Sequence, residues 1–232
     1  MNKKQWVLAG AMAFAIGFGS ALLSAPAERF DHVVRNDFFA GFSGNLDAFQ
    51  RAMKAAEDTI AANPNHAEAL VWHGAGLYFM AGRAFQNGDN EKGMALYQKG
   101  MGQMDKGVAI APDNVGVRIP RGAALLGATA FQQMDERVRG ELQRAVDDYQ
   151  HTYQLQKDDL DKLGEHPLGQ LLMGLGDGYS RLGDTGKAKL YFDMIDQKLP
   201  GSPYAKRAEL WRKNGKLTAM ESQCIGCHVS KN

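Results

Sequence analysis

Several features that mark common protein classes are scarce in this 232-residue chain. It has only two cysteines, which excludes a small domain held together by disulfides. Its 27 basic and 26 acidic residues leave a net charge of +1, so we expect no nucleic-acid partner. Seven prolines and a hydrophobic content of 44% exclude a collagen-like or disordered chain. What remains is the composition of one globular domain or two small ones.

Long apolar runs are also scarce, and the one that stands out lies at the N-terminus. Lys3 and Lys4 precede an uncharged run over residues 6–23, and small residues follow it, with Ala25 and Ala27 flanking a cleavage site. A basic start, an apolar stretch and small residues are typical of an export signal. The run of 18 residues is also just long enough to span a bilayer. Residues 1–27 are therefore predicted to be a cleaved signal peptide or an uncleaved membrane anchor, with a buried helix as the remaining alternative.

The rest of the chain shows no convincing strand. Ala, Leu, Gln, Lys and Met dominate, few segments alternate polar with apolar residues, and amphipathic helical periodicity recurs. Proline-containing breaks separate the helices and carry a common signature. They are Asn63-Pro64-Asn65, Ala111-Pro112-Asp113-Asn114, His166-Pro167 and Leu199-Pro200-Gly201. This recurrence predicts an all-α chain built from helix pairs.

The last pair shows the repeat most clearly. When Pro200 closes a unit of about 34 residues that starts at Gly169, small and apolar residues fall at the diagnostic positions of both helices. These are Leu172, Leu175, Gly176 and Tyr179, then Ala188, Phe192 and Ile195. The residues from Gly183 to Gly186 supply the turn. The pattern resembles the tetratricopeptide repeat family, in which stacked helix pairs form a solenoid with a concave face that binds peptides or proteins.

Earlier units match this frame less well. The frame set on Pro64 places Phe39, Ala40, Ala52 and Ala56 at matching positions, whereas the unit from Ala67 reaches its closing Pro112 late. The unit over 113–166 fits poorly and is long. We therefore expect a tetratricopeptide-like α-solenoid of about four helix pairs over residues 28–213, ending in a capping helix over 204–213 with Trp211 packed inward. A scaffold without a peptide ligand remains an alternative.

The two cysteines lie together at the C-terminus, in the sequence Cys224-Ile225-Gly226-Cys227-His228. This is the spacing of c-type haem attachment, because two thiols one helical turn apart can each bond a vinyl group and the adjacent histidine can reach the iron. Three alternatives stay open: a thiol–disulfide redox pair, although no βαβ pattern accompanies it; a zinc site, which needs a further ligand; and a structural disulfide that closes a very short loop.

The segment 214–232 resembles c-type cytochromes only locally, and the motif lies near the C-terminus as it does in cytochromes c′. The resemblance implies one covalent haem c, with Cys224 and Cys227 as thioether attachments and His228 as the proximal iron ligand. A helix is expected over 215–223. The sixth ligand is left open, since the available methionines and histidines are more typical of core or solvated positions. They are Met94, Met101, Met104, Met220, His32, His66, His73, His151 and His166.

Export and haem attachment support each other, because the resemblance implies attachment outside the bacterial inner membrane. We expect a protein on the periplasmic side, held to the inner membrane if the leader is uncleaved. It would act in electron transfer or as a haem-bearing subunit, with protein partners on the concave face. Seven basic and two acidic residues from Lys198 onward favour an acidic redox partner at the tail, or a solvated end cap. The alternative is a haem-free periplasmic adapter for assembly or maturation of envelope proteins; an enzyme is disfavoured, since no distal catalytic residue is evident.

Overall fold

The computed structural model describes residues 29–222, so the predicted export segment and the Cys224–His228 motif lie outside the described residues. Within this range the chain forms nine α-helices and one 3-10 helix, and no strand is found there. The helices are α1 Phe30–Phe42, α2 Leu46–Ala62, α3 Ala67–Gln86, α4 Asn90–Ile110, α5 Val115–Thr129, α6 Glu136–Gln156, α7 Glu165–Leu182, α8 Thr185–Lys198 and α9 Pro203–Asn214, with the 3-10 helix Lys157–Lys162 after α6. The all-α prediction is confirmed.

The helices pack in the order of the chain. Each odd-numbered helix from α1 to α7 pairs with the next one, and the first helices of successive pairs also contact one another, α1 with α3, α3 with α5 and α5 with α7. Helix α9 packs on α8 and α7 at the end of the stack. This arrangement is compatible with a solenoid, because each pair buries its apolar side against its neighbours in sequence.

Short polar side chains begin most of the helices. At six helix starts a side-chain oxygen accepts a hydrogen bond from a backbone N–H of the first turn, which satisfies a donor without a partner inside the helix. The capping residues are Asn45, Asp89, Asn114, Asp135, Asp184 and Ser202. Gly183, with φ of 91°, ends α7 in the left-handed region just before Asp184 begins α8, as the sequence predicted for this turn.

Three of the four predicted breaks fall between helices. The remaining break, predicted at His166-Pro167, was placed slightly late. Helix α7 already begins at Glu165 and therefore contains both residues in its first turn. Proline is tolerated there, since the first N–H groups of a helix have no intrahelical partner. The break itself lies at Leu163 and Gly164.

Two apolar clusters form the core. The smaller one joins α1, α2 and α3 through aromatic rings, and Phe38 stacks on Trp72 with ring centroids 5.4 Å apart. The larger cluster runs from α3 to α9 and includes Tyr149 and Phe192, both almost completely buried. At its far end Trp211 of α9 is 8% exposed and stacks on Phe192, with centroids 4.5 Å apart. The predicted capping helix with an inward tryptophan is confirmed.

Candidate functional site at the terminal turn

The chain reverses direction immediately after α9. Gly215 adopts φ of 73°, a left-handed conformation that glycine reaches without steric cost, and its N–H donates to the carbonyl oxygen of Trp211 at 2.7 Å. The following residues lie back on the stack, where Leu217 is 8% exposed and Ser222 is 6% exposed. We call residues 215–222 the terminal turn.

Four hydrogen bonds form within the terminal turn. The Thr218 N–H donates to the Glu221 carboxylate at 2.7 Å, and the Glu221 N–H donates to the Thr218 hydroxyl at 3.3 Å. The Ser222 N–H and hydroxyl both donate to the Thr218 carbonyl, at 3.0 Å and 3.1 Å. The predicted helix over 215–223 is wrong at residues 215–218, because the left-handed Gly215 ends α9. The reciprocal Thr218–Glu221 bonds are those of a capping box, which is typical of a helix start, and residues 219–222 form a turn.

A cavity of about 270 Å³ lies between the terminal turn and the stack. Its walls come from three places: the connection between α5 and α6, the last turns of α7, and the terminal turn itself. The lining residues are Ala130, Met134, Ser180, Arg181, Gly215, Lys216, Leu217, Ala219 and Ser222. We call this space the terminal cavity. It combines apolar walls with two cations, Arg181 and Lys216, and with the hydroxyls of Ser180 and Ser222.

Arg181 fixes one wall of the terminal cavity. Its guanidinium donates to the carbonyl oxygen of Leu126 and to the hydroxyl of Thr129, both at 2.8 Å, and so ties the C-terminal end of α5 to α7. A third neighbour is the Asp177 carboxylate, with the closest nitrogen 3.7 Å from Oδ2. Burial lowers the pKa of Arg181, and the Asp177 charge offsets part of that effect.

Asp177 lies beneath the terminal turn and is 1% exposed. Neither carboxylate oxygen makes a hydrogen bond of ordinary length to a described group. Burial raises the pKa of Asp177, while the charge of Arg181 and the hydroxyl of Ser222 act in the opposite direction. A buried carboxylate without hydrogen bonds is rare and costs free energy, so its presence next to Ser222 marks this end of α7 as unusual.

Ser180 connects the α7 wall of the terminal cavity to the core. The Trp211 Nε1–H donates to the Ser180 hydroxyl at 2.7 Å, which places the indole behind the terminal cavity. The stacked Phe192 ring supports the indole from the other side. The cavity is thus built on packed helices and not on a loop alone.

The predicted attachment residues Cys224, Cys227 and His228 lie outside the described residues. Two of the methionines considered as iron ligands are core residues, because Met101 is 7% and Met104 is 0% exposed. Two others lie at the surface, with Met94 48% and Met220 71% exposed. The prediction that Met94, Met101 and Met104 pack in the core is confirmed for Met101 and Met104 and is wrong for Met94.

The histidines are scattered through the stack. His73 is 3% exposed, and its ring nitrogens lie 2.6 Å from the Gln103 amide oxygen and 3.2 Å from the Glu57 carboxylate, which confirms a satisfied core histidine. His66 was expected to be solvated. It instead begins α3, where Nδ1 accepts from the Ala69 N–H at 3.2 Å.

The remaining histidines lie apart from one another. His166 Nδ1 lies 2.9 Å from the Tyr204 hydroxyl, and His151 Nε2 lies 2.6 Å from an Asp113 carboxylate oxygen. His32 is half-exposed, 3.9 Å from Asp31. Within residues 29–222 no three His, Cys, Asp or Glu side chains are arranged to hold a metal ion.

Sequence reasoning missed Met134, Asp177 and Arg181. Asp177 gave a signal, since it is the lone charge in the apolar segment Leu171–Tyr179. Met134 gave none, because its position depends on how the α5–α6 connection meets the terminal turn, more than 80 residues later in the chain.

Comparisons of the chain with protein-family models, with curated proteins and with solved structures found no match. No helix among residues 29–222 has the length and apolar character needed to cross a membrane.

Proposed function

We propose that this chain is an exported tetratricopeptide-like protein that carries one covalent c-type haem at its C-terminus and acts in electron transfer, or as the haem-bearing subunit of a redox complex. The observation that carries the proposal is the sequence from Cys224 to His228. Cys224 and Cys227 would hold the macrocycle as thioethers, and His228 would supply the proximal nitrogen. The bound haem would supply one-electron chemistry at its iron.

The position of the motif in the sequence supports a haem close to the terminal turn. Cys224 follows Ser222 by two residues in the sequence, and Ser222 lines the terminal cavity. The volume of about 270 Å³ lies below the range of roughly 300–1,000 Å³ for small-molecule sites, so the cavity by itself does not enclose a macrocycle.

The chemistry of the lining also suits a porphyrin. Met134, Leu217 and Ala219 offer apolar surface for the ring, while Lys216 offers an exposed cation for a propionate. Arg181 is largely engaged with Leu126 and Thr129, so its role is to hold the wall in place.

The basic surface near the tail is weaker than its residue count indicated. Arg212 pairs with Asp196 and also lies 3.5 Å from Asp193, and Lys198 pairs with Asp161 at 2.6 Å. Lys206, Lys213 and Lys216 are exposed and form no ion pair with a described residue. These three lysines are the ones that would steer an acidic redox partner, with an association rate that falls as salt is added.

The stacked first helices of the pairs support a second part of the proposal, a protein partner. Contacts of α1 with α3, α3 with α5 and α5 with α7 make one continuous helical surface. A haem presented at the end of such a surface could be positioned against the partner that the repeats bind. The protein would then set the location of the haem, and the partner would exchange the electron.

The test is the mass and the spectrum of the exported protein, produced with its own leader in bacteria that attach haem c. We expect a polypeptide heavier by one haem, with c-type bands in the pyridine haemochrome. The Cys224→Ala/Cys227→Ala variant is the matched control and should be exported, folded and without attached haem. A bare polypeptide mass for the parent protein in such cells would overturn the proposal and favour a haem-free adapter whose cysteines serve as thiols.

A further inference from the structure

Asp177 stands apart from the other buried carboxylates. Within residues 29–222 it is the one carboxylate whose two oxygens are buried and make no hydrogen bond. The remaining buried carboxylates of that range, those of Asp31, Asp148 and Glu141, each accept from at least one arginine. An ionised carboxylate is costly to bury without such donors, so the surroundings of Asp177 favour its protonated form.

Few charged groups face Asp177. The cation beside it is Arg181, 3.7 Å away on the same helix, and its guanidinium is already bonded to the Leu126 carbonyl and the Thr129 hydroxyl. Burial therefore raises the pKa of Asp177, although the Arg181 charge acts in the opposite direction. The neighbouring elements bring apolar side chains, hydroxyls and one phenol to this part of α7. These residues are Leu126 and Thr129 from α5, Val146 and Tyr149 from α6, Phe192 from α8, Trp211 from α9 and Ser222 from the terminal turn.

The charged residues of these elements leave Asp177 without a further partner. In the terminal turn Lys216 is exposed, and Arg207 on α9 acts on Glu221. Asp148 on α6 is bonded by two arginines of α5. Within residues 29–222, Arg181 is the one charged side chain that acts on the pKa of Asp177.

The α6 side of α7 is closed by buried side chains. A Cβ on Gly174 would collide with the Tyr149 ring, and one on Gly178 would collide with Val146. Tyr149 and Val146 are each 1% exposed. Opening this side would expose part of the larger apolar cluster to water, at a high cost in free energy.

The terminal turn covers Asp177 more lightly. Within residues 29–222, no hydrogen bond of ordinary length and no ion pair joins residues 216–222 to the helices, because the bonds of Thr218, Glu221 and Ser222 lie within the turn. Burial of Leu217 and Ser222 holds the turn in place, and the left-handed Gly215 connects it to α9. Local opening concentrates in segments with so few attachments.

We propose that the terminal turn is a pH-dependent cover, which stays seated on α7 while Asp177 is protonated and lifts from the helix about Gly215 when Asp177 loses its proton. Lifting lets water reach the carboxylate and exposes Arg181 beside it. The inference uses only residues described by the structure and does not rest on the proposed function.

The direction of the pH dependence follows from the two positions of the turn. The pKa of Asp177 is raised when the turn is seated, and water returns it toward its ordinary value when the turn lifts. The lifted fraction is therefore constant below the ordinary value. It rises by up to about tenfold per pH unit between the two pKa values and levels off above the seated one.

Hydrogen exchange followed by mass spectrometry tests the cover on the full-length mature protein, over roughly pH 5 to pH 8. A short detached turn does not keep its internal hydrogen bonds in water, so lifting exposes the amides of Thr218, Glu221 and Ser222. The comparison with Asp177→Asn at each pH cancels the effect of pH on the chemical exchange rate. We expect the protection of residues 215–222 in the parent, relative to this variant, to fall as the pH rises, by up to about tenfold per unit.

Two further variants complete the experiment. Asp158→Asn removes an exposed carboxylate and should follow the parent at every pH. Leu217→Ala removes a buried anchor of the turn and should lower its protection already at acidic pH. If Asp177→Asn does not fold, the ratio of exchange in the turn to exchange in α3 within one parent sample gives the same pH dependence.

The inference is overturned by any of three results. The first is a ratio of parent to Asp177→Asn that stays constant with pH. The second is a change of the same size in Asp158→Asn. The third is a parallel loss of protection in α3, because the whole chain would then be unfolding.

Discussion

Helices α3 and α7 are both the first helix of a pair and both are rich in glycine, yet they use glycine differently. In α3 a Cβ on Gly74 would lie 2.7 Å from the carbonyl oxygen of Gly100 in α4, so the two backbones touch. In α7 the positions above Gly174 and Gly176 are filled by the rings of Tyr149 and Phe192. One pair approaches through its main chains, and the other receives aromatic side chains from its neighbours.

The difference predicts how each region responds to an added methyl group. A carbonyl oxygen in a helix cannot move without displacing the helix, whereas a ring can shift if its own neighbours allow it. The α3–α4 pair should therefore be the more rigidly specified one. The α7 region should tolerate more change.

The largest effect is expected for Gly100→Ala. Its Cβ would lie 2.7 Å from the Gly74 carbonyl oxygen and 3.0 Å from the Tyr78 nitrogen, so the two helices must separate. We expect a loss of about 3 kcal/mol in the free energy of unfolding, measured by urea denaturation followed by far-UV circular dichroism.

Gly102→Ala is the matched control on the same helix, because nothing lies within 4 Å of its Cβ. It should gain about 0.5–1 kcal/mol from the higher helix propensity of alanine. If both variants lose the same stability, the close backbone approach is not what limits this pair.

A smaller loss is expected for Gly176→Ala, of about 2 kcal/mol. The new Cβ would lie 2.9 Å from the Phe192 ring, which can yield only by disturbing its stack on Trp211. Combining it with Phe192→Leu should recover part of the loss, since the smaller side chain leaves room for the methyl group. Additive effects in that double-mutant cycle would contradict the contact.

Tyr78→Phe tests the connection from the α3–α4 pair to α6. The Tyr78 hydroxyl on α3 donates to the buried Glu141 carboxylate on α6, and Tyr97 and Arg137 donate to the same carboxylate at 2.8 Å and 2.7 Å. Burial is the main reason that the pKa of Tyr78 is raised, with the Glu141 charge adding to it. We expect a loss of about 1.5 kcal/mol, because Glu141 keeps its other two donors. Tyr97→Phe should cost less, and a reversed order would contradict the assignment of Tyr78 as the more buried partner.

The smallest effect is expected for Asp177→Asn, and it should depend on pH. The pKa of Asp177 is raised in the folded protein. The stability that its protonated carboxyl contributes is therefore fully present at acidic pH and is lost as the pH rises through the folded-state pKa. Asparagine does not titrate there. The stability of the variant relative to the parent should therefore increase as the pH rises through the folded-state pKa of Asp177. A difference that stays constant with pH would contradict a raised pKa for Asp177 in the folded protein.

Local signals in the sequence predicted much of the stack. Gly183 and Asp184 specify the α7–α8 turn through a left-handed glycine and a capping carboxylate, and both act within a few residues. The inward Trp211 followed from helical periodicity. The error at residues 215–218 has a physical cause as well, since the sequence predicted a helix from Gly215 onward, whereas the left-handed conformation of this glycine ends α9.

The terminal cavity could not be predicted in the same way. Met134, Arg181 and Ser222 meet there from three separate segments, and no local pattern relates them. The bond from Arg181 to the Leu126 carbonyl spans 55 residues and depends on how α5 and α7 align. The motif that begins at Cys224 could be recognised from the sequence, because c-type haem attachment requires a fixed local spacing. The tetratricopeptide assignment and the haem stay predictions.

Glu68 of α3 links the start of α1 to the start of α5. Its carboxylate accepts from the Phe30 N–H at 3.1 Å and from the Asn114 side chain at 3.1 Å, so the start of α1 lies beside the start of α5. The terminal turn lies at the other end of α5, where Arg181 bonds Leu126. The 15 residues of α5 extend about 22 Å at 1.5 Å per residue. This one helix therefore sets the separation between the first described residues of the chain and the terminal turn.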